Sequence, residues 1–201
     1  MNYLELSISD TQENTKKLAN EIEKDFIPDV IIFISKGSFV IGKTFSEYFN
    51  IPLVEIFAVR EGNRFKDLIS PILKIIPKKI KKTLRQKELK SGIHNKNSSR
   101  KVYLQKGENY IREASNILVV DDSVDTGHTA KQVCEYIKSL FQENKTIKFA
   151  SLNYFEESKE VYKVDYSLYK NSILVGPWSK DSLYYRRFLE YYSLSKNRGE
   201  F

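Results

Sequence analysis

The chain of 201 residues carries 33 Lys and Arg against 26 Asp and Glu, a net charge of +7, with 41% hydrophobic and 29% charged residues. That length suits one domain with a sizeable core, and the composition excludes a disordered or fibrous chain. No apolar run approaches the roughly 20 residues of a membrane-spanning helix. Met1 to Asp10 lack a basic stretch followed by an apolar one, and the single cysteine, Cys134, excludes an internal disulfide, so a cytoplasmic protein is expected.

Tyr3 to Ser7 read as a short extended start. Leu18, Ile22 and Phe26 then recur every four residues, predicting a helix over Asp10 to Phe26 with Asp10 or Thr11 as its N-cap and Pro28 beyond its end. The unbroken apolar run Val30 to Ile34 has the length of a strand buried on both faces of a parallel sheet. Ser35-Lys36-Gly37-Ser38 interrupts, helical spacing resumes over Phe39 to Phe49, and Leu53 to Val59 is a second strand. Ser70 and Pro71 are a good N-cap and first helical residue, followed by Ile72, Ile76, Ile80 and Leu84 at four-residue spacing, with a kink expected at Pro77. Gly92, Asn95, Asn97, Ser98 and Ser99 give Ser91 to Arg100 the composition of a loop, and Lys101 to Gln105 is a plausible strand. A third buried strand, Asn116 to Val120, leads through Asp121 to Gly127 into a helix from about Thr129 to Phe141, and Ile147 to Leu152 and Ile173 to Val175 supply two more strands. This alternation predicts an α/β fold, a mostly parallel central sheet with flanking helices.

The positive charge belongs to one segment. Lys74 to Lys101 hold eleven Lys and Arg and a single acid, Glu88, a local net of +10 that leaves −3 for the rest. Such a segment either packs its isoleucines on the core or a second subunit with its lysines in solvent, or binds nucleic acid or an anionic membrane; the packing role is favoured.

The strongest chemical signal is Ile117-Leu118-Val119-Val120-Asp121-Asp122-Ser123-Val124-Asp125-Thr126-Gly127-His128-Thr129. A buried strand delivers two adjacent carboxylates to its C-terminal end, where open α/β sheets bind ligands. A small-residue loop then opens a helix whose amide groups and threonine hydroxyls suit a phosphate monoester. Asp121 and Asp122 suit vicinal hydroxyls, so the pair and the loop together describe a sugar-phosphate pocket. An acidic N-cap after a buried strand is the plainer alternative for a lone Asp-x-Thr-Gly, and the full thirteen-residue pattern argues against it.

This segment resembles the 5-phosphoribosyl-1-diphosphate (PRPP) signature of type I phosphoribosyltransferases. The resemblance implies that Asp121 and Asp122 hold the ribose hydroxyls, that Asp125, Thr126, Gly127, His128 and Thr129 hold the 5′-phosphate, and that Asp125 acts as base toward a purine. Ser35, Lys36 and Gly37 resemble the family's diphosphate loop, with Lys36 facing the leaving group. Val164-Asp165-Tyr166 and Gly176-Pro177-Trp178 resemble the hood of bacterial xanthine-guanine-hypoxanthine enzymes. Asp181 and Arg187 resemble a magnesium-contacting acid and a diphosphate-contacting arginine, so Mg²⁺ is the expected cofactor. The implied organisation is one phosphoribosyltransferase-like domain over 1–201, a basic helical insertion with a flexible loop at 61–110, and a C-terminal hood and tail at 153–201.

The chain departs from that pattern at the acceptor. The 6-oxopurine enzymes carry a lysine shortly after the strand corresponding to Ile147 to Leu152, where this chain reads Asn153-Tyr154-Phe155-Glu156. Where they place a base-stacking aromatic, it has Ile173 or Leu174, with Trp178, Tyr184 or Tyr185 as substitutes; Phe155, Ile173 and Trp178 are the acceptor candidates. The tyrosines from Tyr184 to Tyr192 are expected in hood packing or an oligomer contact, and Cys134 in the core. PRPP and a small-molecule acceptor are the expected partners, with a homo-oligomer as the expected assembly. The first functional expectation is phosphoribosyl transfer to a purine-like base. Transfer to a sugar or glycan and PRPP sensing without catalysis are the alternatives.

Overall fold

The structure, a computed structural model, describes residues 3–60, 100–141 and 145–201. The helix expected from Ser70, most of the loop expected from Ser91 and most of the 61–110 insertion lie outside these residues. The chain divides into two compact units, one of Met1–Ala58 with Val102–Phe201 and one of Val59–Lys101. The elements that position the candidate site belong to the first.

After β1 (Tyr3–Glu5), helix α1 (Ile8–Ile22) starts earlier than its apolar spacing indicated. Ser7 is the N-cap: its hydroxyl accepts from the Asp10 amide while the Asp10 carboxylate accepts from the Ser7 amide, a capping box that moves Asp10 to the third helical position. Next come β2 (Val30–Ile34), α2 (Phe39–Phe49), β3 (Leu53–Arg60), β4 (Arg100–Leu104), α3 (Glu108–Glu113), β5 (Asn116–Val124), α4 (His128–Leu140) and β6 (Thr146–Tyr154). A 3₁₀ turn (Glu156–Glu160), β7 (Tyr166–Lys170), β8 (Ile173–Val175) and α5 (Tyr185–Asn197) complete the chain.

Six strands form the central sheet in the order β4-β3-β2-β5-β6-β7, and the ladders β2–β3, β2–β5, β5–β6 and β6–β7 are parallel. Consecutive strand residues alternate between the two faces. Ile31, Phe33, Leu118, Val120, Ala150 and Leu152 face Leu18 and Ile22 of α1, Phe39 and Phe45 of α2, and Phe188 and Tyr192 of α5. Ile32, Val119 and Phe149 face Ile111 of α3 and Val133, Cys134 and Ile137 of α4. Cys134 is therefore core, as expected, and burial pushes its thiol up to about 11. Each fully buried Phe or Ile in these layers is worth about 1.5–3 kcal/mol relative to exposure. The strands read as continuous apolar runs because helices cover both faces.

Two strand assignments change. Ile173–Val175 does not join the central sheet but pairs in parallel with Tyr3–Glu5 as a separate two-stranded sheet. The sixth central strand is Tyr166–Lys170, whose half-buried residues and interspersed Ser167 give neither an apolar run nor an alternation to read. β5 also runs four residues past Val120, paired with β6 through Val124–Tyr154, so Asp121 and Asp122 sit inside the strand.

Candidate active site

The strand order reverses between β2 and β5. The chain leaves β2 for β3 on one side and later leaves β5 for β6 on the other. A crevice therefore opens beyond the C-terminal ends of β2 and β5, the ligand position of an open parallel sheet. The Ser35 to Ser38 turn succeeds β2, and Asp125 to Gly127 succeed β5, so fold topology brings the two motifs to the same edge.

Their contact is close. A Cβ on Gly37 would lie 3.3 Å from Asp122 Cγ and 3.4 Å from each of its carboxylate oxygens. The preceding residue, Lys36, is exposed and held at φ +44°, a left-handed conformation uncommon for a residue that carries a Cβ. Strain of this kind persists where surrounding contacts impose it. Here the turn is tied down on both sides: Ser35 Oγ donates to Glu55 at 2.9 Å, and Ser38 Oγ donates to the Ile34 carbonyl at 2.5 Å. Because Ser38 spends its hydroxyl on Ile34, α2 begins without a side-chain cap.

Helix α4 also starts without a side-chain cap, on Gly127 at φ +79°. A Cβ there would stand 2.8 Å from the Ser158 carbonyl oxygen and 3.0 Å from the Tyr162 nitrogen, so both the backbone sign and the lack of space require glycine. His128 and Thr129 belong to the first helical turn, leaving Asp125, Thr126 and Gly127 as the loop proper. Two uncapped helix starts at one sheet edge present first-turn amide groups at the positive ends of two helix dipoles, which suits a ligand with two anionic ends.

Asp121 and Asp122 lie between them. The Asp122 amide donates to Asp121 Oδ1 at 2.9 Å. Desolvation, then the neighbouring Asp122 carboxylate, and more weakly Asp125, hold the Asp121 carboxyl well above the usual carboxylate range. Among the described residues no three His, Cys, Asp or Glu side chains converge as a metal-holding group. The Asp121–Asp122 pair nevertheless fits Mg²⁺, a hard cation usually held by one or two carboxylates together with substrate phosphate oxygens.

The acceptor and metal candidates are more scattered. Phe155 is buried at the end of β6, and its amide donates to the Val124 carbonyl at 2.9 Å, beside the Asp125 to Gly127 loop. Ile173 is buried at 4% exposure in the small sheet with β1. Trp178 lays its indole over Gly176 and packs edge-on against Phe188. Asp181 is exposed in the turn before α5, and Arg187 is exposed on that helix's first turn.

Sequence reasoning missed Glu55 and Tyr192. Glu55, only 7% exposed, accepts from Ser35, from Tyr192 and from Lys196, and the Lys36 ammonium stands 5.8 Å from the centre of the Tyr192 ring. A glutamate inside the otherwise apolar strand Leu53 to Val59 was the available signal, since buried acids are paired.

A family model for the phosphoribosyl transferase domain matches residues 6–179. The chain belongs to this family. Its PRPP motif thereby sits on a phosphoribosyltransferase fold, and the protein is a PRPP-dependent phosphoribosyltransferase. A purine phosphoribosyltransferase from Pyrococcus horikoshii shares the fold at a TM-score of 0.59 and 19% identity, over 91% of this chain and 98% of that one. A xanthine-guanine-hypoxanthine phosphoribosyltransferase from Helicobacter pylori does so at 0.61 and 16%, over 94% and 99%. An adenine phosphoribosyltransferase from Thermoanaerobacter pseudethanolicus does so at 0.53 and 14%, over 81% of each chain. No curated protein matches this phosphoribosyltransferase by sequence. No helix among its described residues is long and apolar enough to cross a membrane.

Proposed function

We propose that this protein transfers the 5-phosphoribosyl group of PRPP to a purine-like nucleobase with release of diphosphate. The reading rests above all on the approach of Gly37 to the Asp122 carboxylate, which joins the diphosphate turn to the ribose acids in the crevice between β2 and β5. Purine phosphoribosyltransferases among the similar folds agree with it.

In this reading the Asp125 to Thr129 segment anchors the 5′-phosphate on the start of α4. Asp121 and Asp122 accept from the ribose hydroxyls, and together the contacts fix C1 of the sugar. Lys36 and the start of α2 receive the departing diphosphate, stabilising charge as it develops. Asp125, exposed at the mouth of the loop, takes the proton from the attacking base nitrogen. No protein nucleophile is required. Mg²⁺, held by the acid pair and the substrate's diphosphate, would add positive charge to the leaving group. Ser35 serves the turn through Glu55 and does not free its proton for the ligand.

Transfer to a sugar or glycan is the second reading. It is favoured by the end of β6 and the 3₁₀ turn after it, where Asn153 is buried and Lys159 is paired with Glu156 at 3.0 Å instead of pointing a free cation at a base carbonyl.

Calorimetry with PRPP, with and without Mg²⁺, together with diphosphate release in the presence of bases and sugars, tests both. Wild type should bind PRPP more tightly with Mg²⁺, and the double variant Asp121→Asn/Asp122→Asn should lose that binding. Equal affinity in the two proteins overturns the pocket; release driven by a sugar and by no base overturns the choice of acceptor.

A further inference from the structure

Behind Asp125 lies a chain of hydrogen bonds that no motif of the sequence announced. Asn153 is fully buried on β6 and paired in register with Ser123 on β5. Its side-chain oxygen accepts from the Ser172 backbone amide at 3.0 Å, its side-chain nitrogen donates to Ser123 Oγ at 3.0 Å, and Ser123 Oγ donates to Asp125 Oδ1 at 3.3 Å.

The direction of this chain comes from donor chemistry. A backbone amide only donates, so Ser172 determines which end of the Asn153 amide is oxygen, and the nitrogen must then face Ser123. Ser123 Oγ thereby accepts, and its single proton is left for the carboxylate. Burial makes the alternative orientation costly, because a flipped amide would set donor against donor at Ser172 and would draw the Ser123 proton away from Asp125.

We propose that Asn153 and Ser123 are positioning residues, a one-way relay that fixes the Asp125 carboxylate for proton transfer at the acceptor. The proposal rests on the reading of Asp125 as base. It connects the segment between β7 and β8, which supplies Ser172, to the reacting side of the site. A hydroxyl is all that position 123 has to contribute, so threonine serves there and alanine does not.

The test compares wild type with Ser123→Ala, Ser123→Thr and Asn153→Asp by steady-state kinetics with PRPP and the best base. Ser123→Ala should lower kcat roughly tenfold or more with the KM for PRPP within about twofold, since a misaimed base loses part of the 10²–10⁴-fold that proton transfer contributes. Ser123→Thr should restore most of it. Asn153→Asp removes the donor to Ser123, turns the hydroxyl away from Asp125 and should repeat the loss. An unchanged kcat in Ser123→Ala overturns the relay, as does a common loss in Ser123→Ala and Ser123→Thr. Crystal structures of wild type and Ser123→Ala decide the same point without turnover: a single Asp125 rotamer in the first and a rotated or divided one in the second supports the relay, and the same rotamer in both overturns it. Absence of activity with every base in wild type would overturn the nucleobase reading alone, leaving the rotamer comparison to judge the relay.

Discussion

The Tyr192 hydroxyl donates to Glu55 Oε1 at 2.5 Å across 137 residues of sequence. Through it the C-terminal helix reaches the Ser35 to Ser38 turn, because the same carboxylate oxygen accepts from Ser35 at 2.9 Å and Lys196 lies 3.3 Å from its other oxygen. Burial, and then the Glu55 carboxylate, push the Tyr192 phenol far above its ordinary range, so it remains a donor at any working pH. Helix α5 thus holds the residue before Lys36 while its tyrosine ring lies within reach of the Lys36 ammonium.

Tyr192→Phe keeps the ring and removes one of the donors to a buried acid. A hydrogen bond to a charged group is worth about 1.5–3 kcal/mol, which for a chain of this size corresponds to a loss of roughly 3–12 °C in Tm. The Lys36 turn loosens with it, so diphosphate affinity should fall while affinity for ribose 5-phosphate is unchanged. Thermal melts and calorimetry with the two ligands check this, and equal weakening of both would show a global effect.

Gly127→Ala meets two obstacles, the positive φ and the Ser158 carbonyl 2.8 Å from the new methyl. Either the start of α4 or the 3₁₀ turn must shift. A left-handed alanine alone costs about 1–2 kcal/mol. Binding of ribose 5-phosphate, whose phosphate the proposed reading anchors on this loop, should weaken at least tenfold; an unchanged affinity would place the phosphate elsewhere.

Forces that act along the chain are legible in sequence, and forces that act across it are not. The strand runs Val30 to Ile34 and Ile117 to Val120 and the Asp121 to Thr129 motif are consecutive in the chain, and their register with one another is fixed by parallel pairing that the alternation predicts. The ends of β5 and α1 depart from expectation because ladder bonds carry Asp121 to Val124 beyond the apolar run and because the Ser7–Asp10 capping box outweighs apolar spacing in setting a helix start. Helix α5 reads in sequence only as a cluster of tyrosines. Its buried face, Phe188 and Tyr192, is narrow, and the partner it needs is Glu55 far upstream. The Asn153–Ser123–Asp125 chain is unreadable for the same reason: its order is set across strands, not along them.

Asp121→Asn should trade ligand binding for stability. The folded chain raises this carboxyl, so it holds its proton to higher pH than the unfolded chain, whose value is near 3.8. The stabilisation linked to this group is therefore full below that value and is lost as pH rises through the folded one, above which the ionised form carries the cost of desolvation and of Asp122. Asparagine escapes that cost. Its Tm should exceed that of wild type by a few degrees at pH 8, and the gain should disappear near pH 4, while PRPP binding is weakened at both. A variant less stable than wild type at pH 8 would mean that Asp121 is stabilised in its charged form.

Acceptor choice is open to the same treatment. The 6-oxopurine enzymes that this sequence resembles offer a lysine to the base oxygen just after β6, and here that stretch is committed elsewhere. Asn153 serves Ser123 and Ser172, Phe155 is buried, and Glu156 engages Lys159 at 3.0 Å and Lys170 at 2.5 Å. Lys159 also lies 5.3 Å from the centre of the Tyr154 ring, so recruiting it to a base would break two contacts, each weak because exposed. Losing one hydrogen bond to a charged donor, about 1.5–3 kcal/mol, lowers discrimination in favour of such bases roughly tenfold to a hundredfold. Hypoxanthine, guanine and xanthine should therefore be poor substrates. Steady-state rates decide it: a kcat/KM above about 10⁵ M⁻¹s⁻¹ for any of the three, well within the ordinary enzyme range, would show that Lys159 or Lys163 supplies the missing cation. Lys159→Met should then abolish that rate if Lys159 is the donor and leave it intact if Lys163 is.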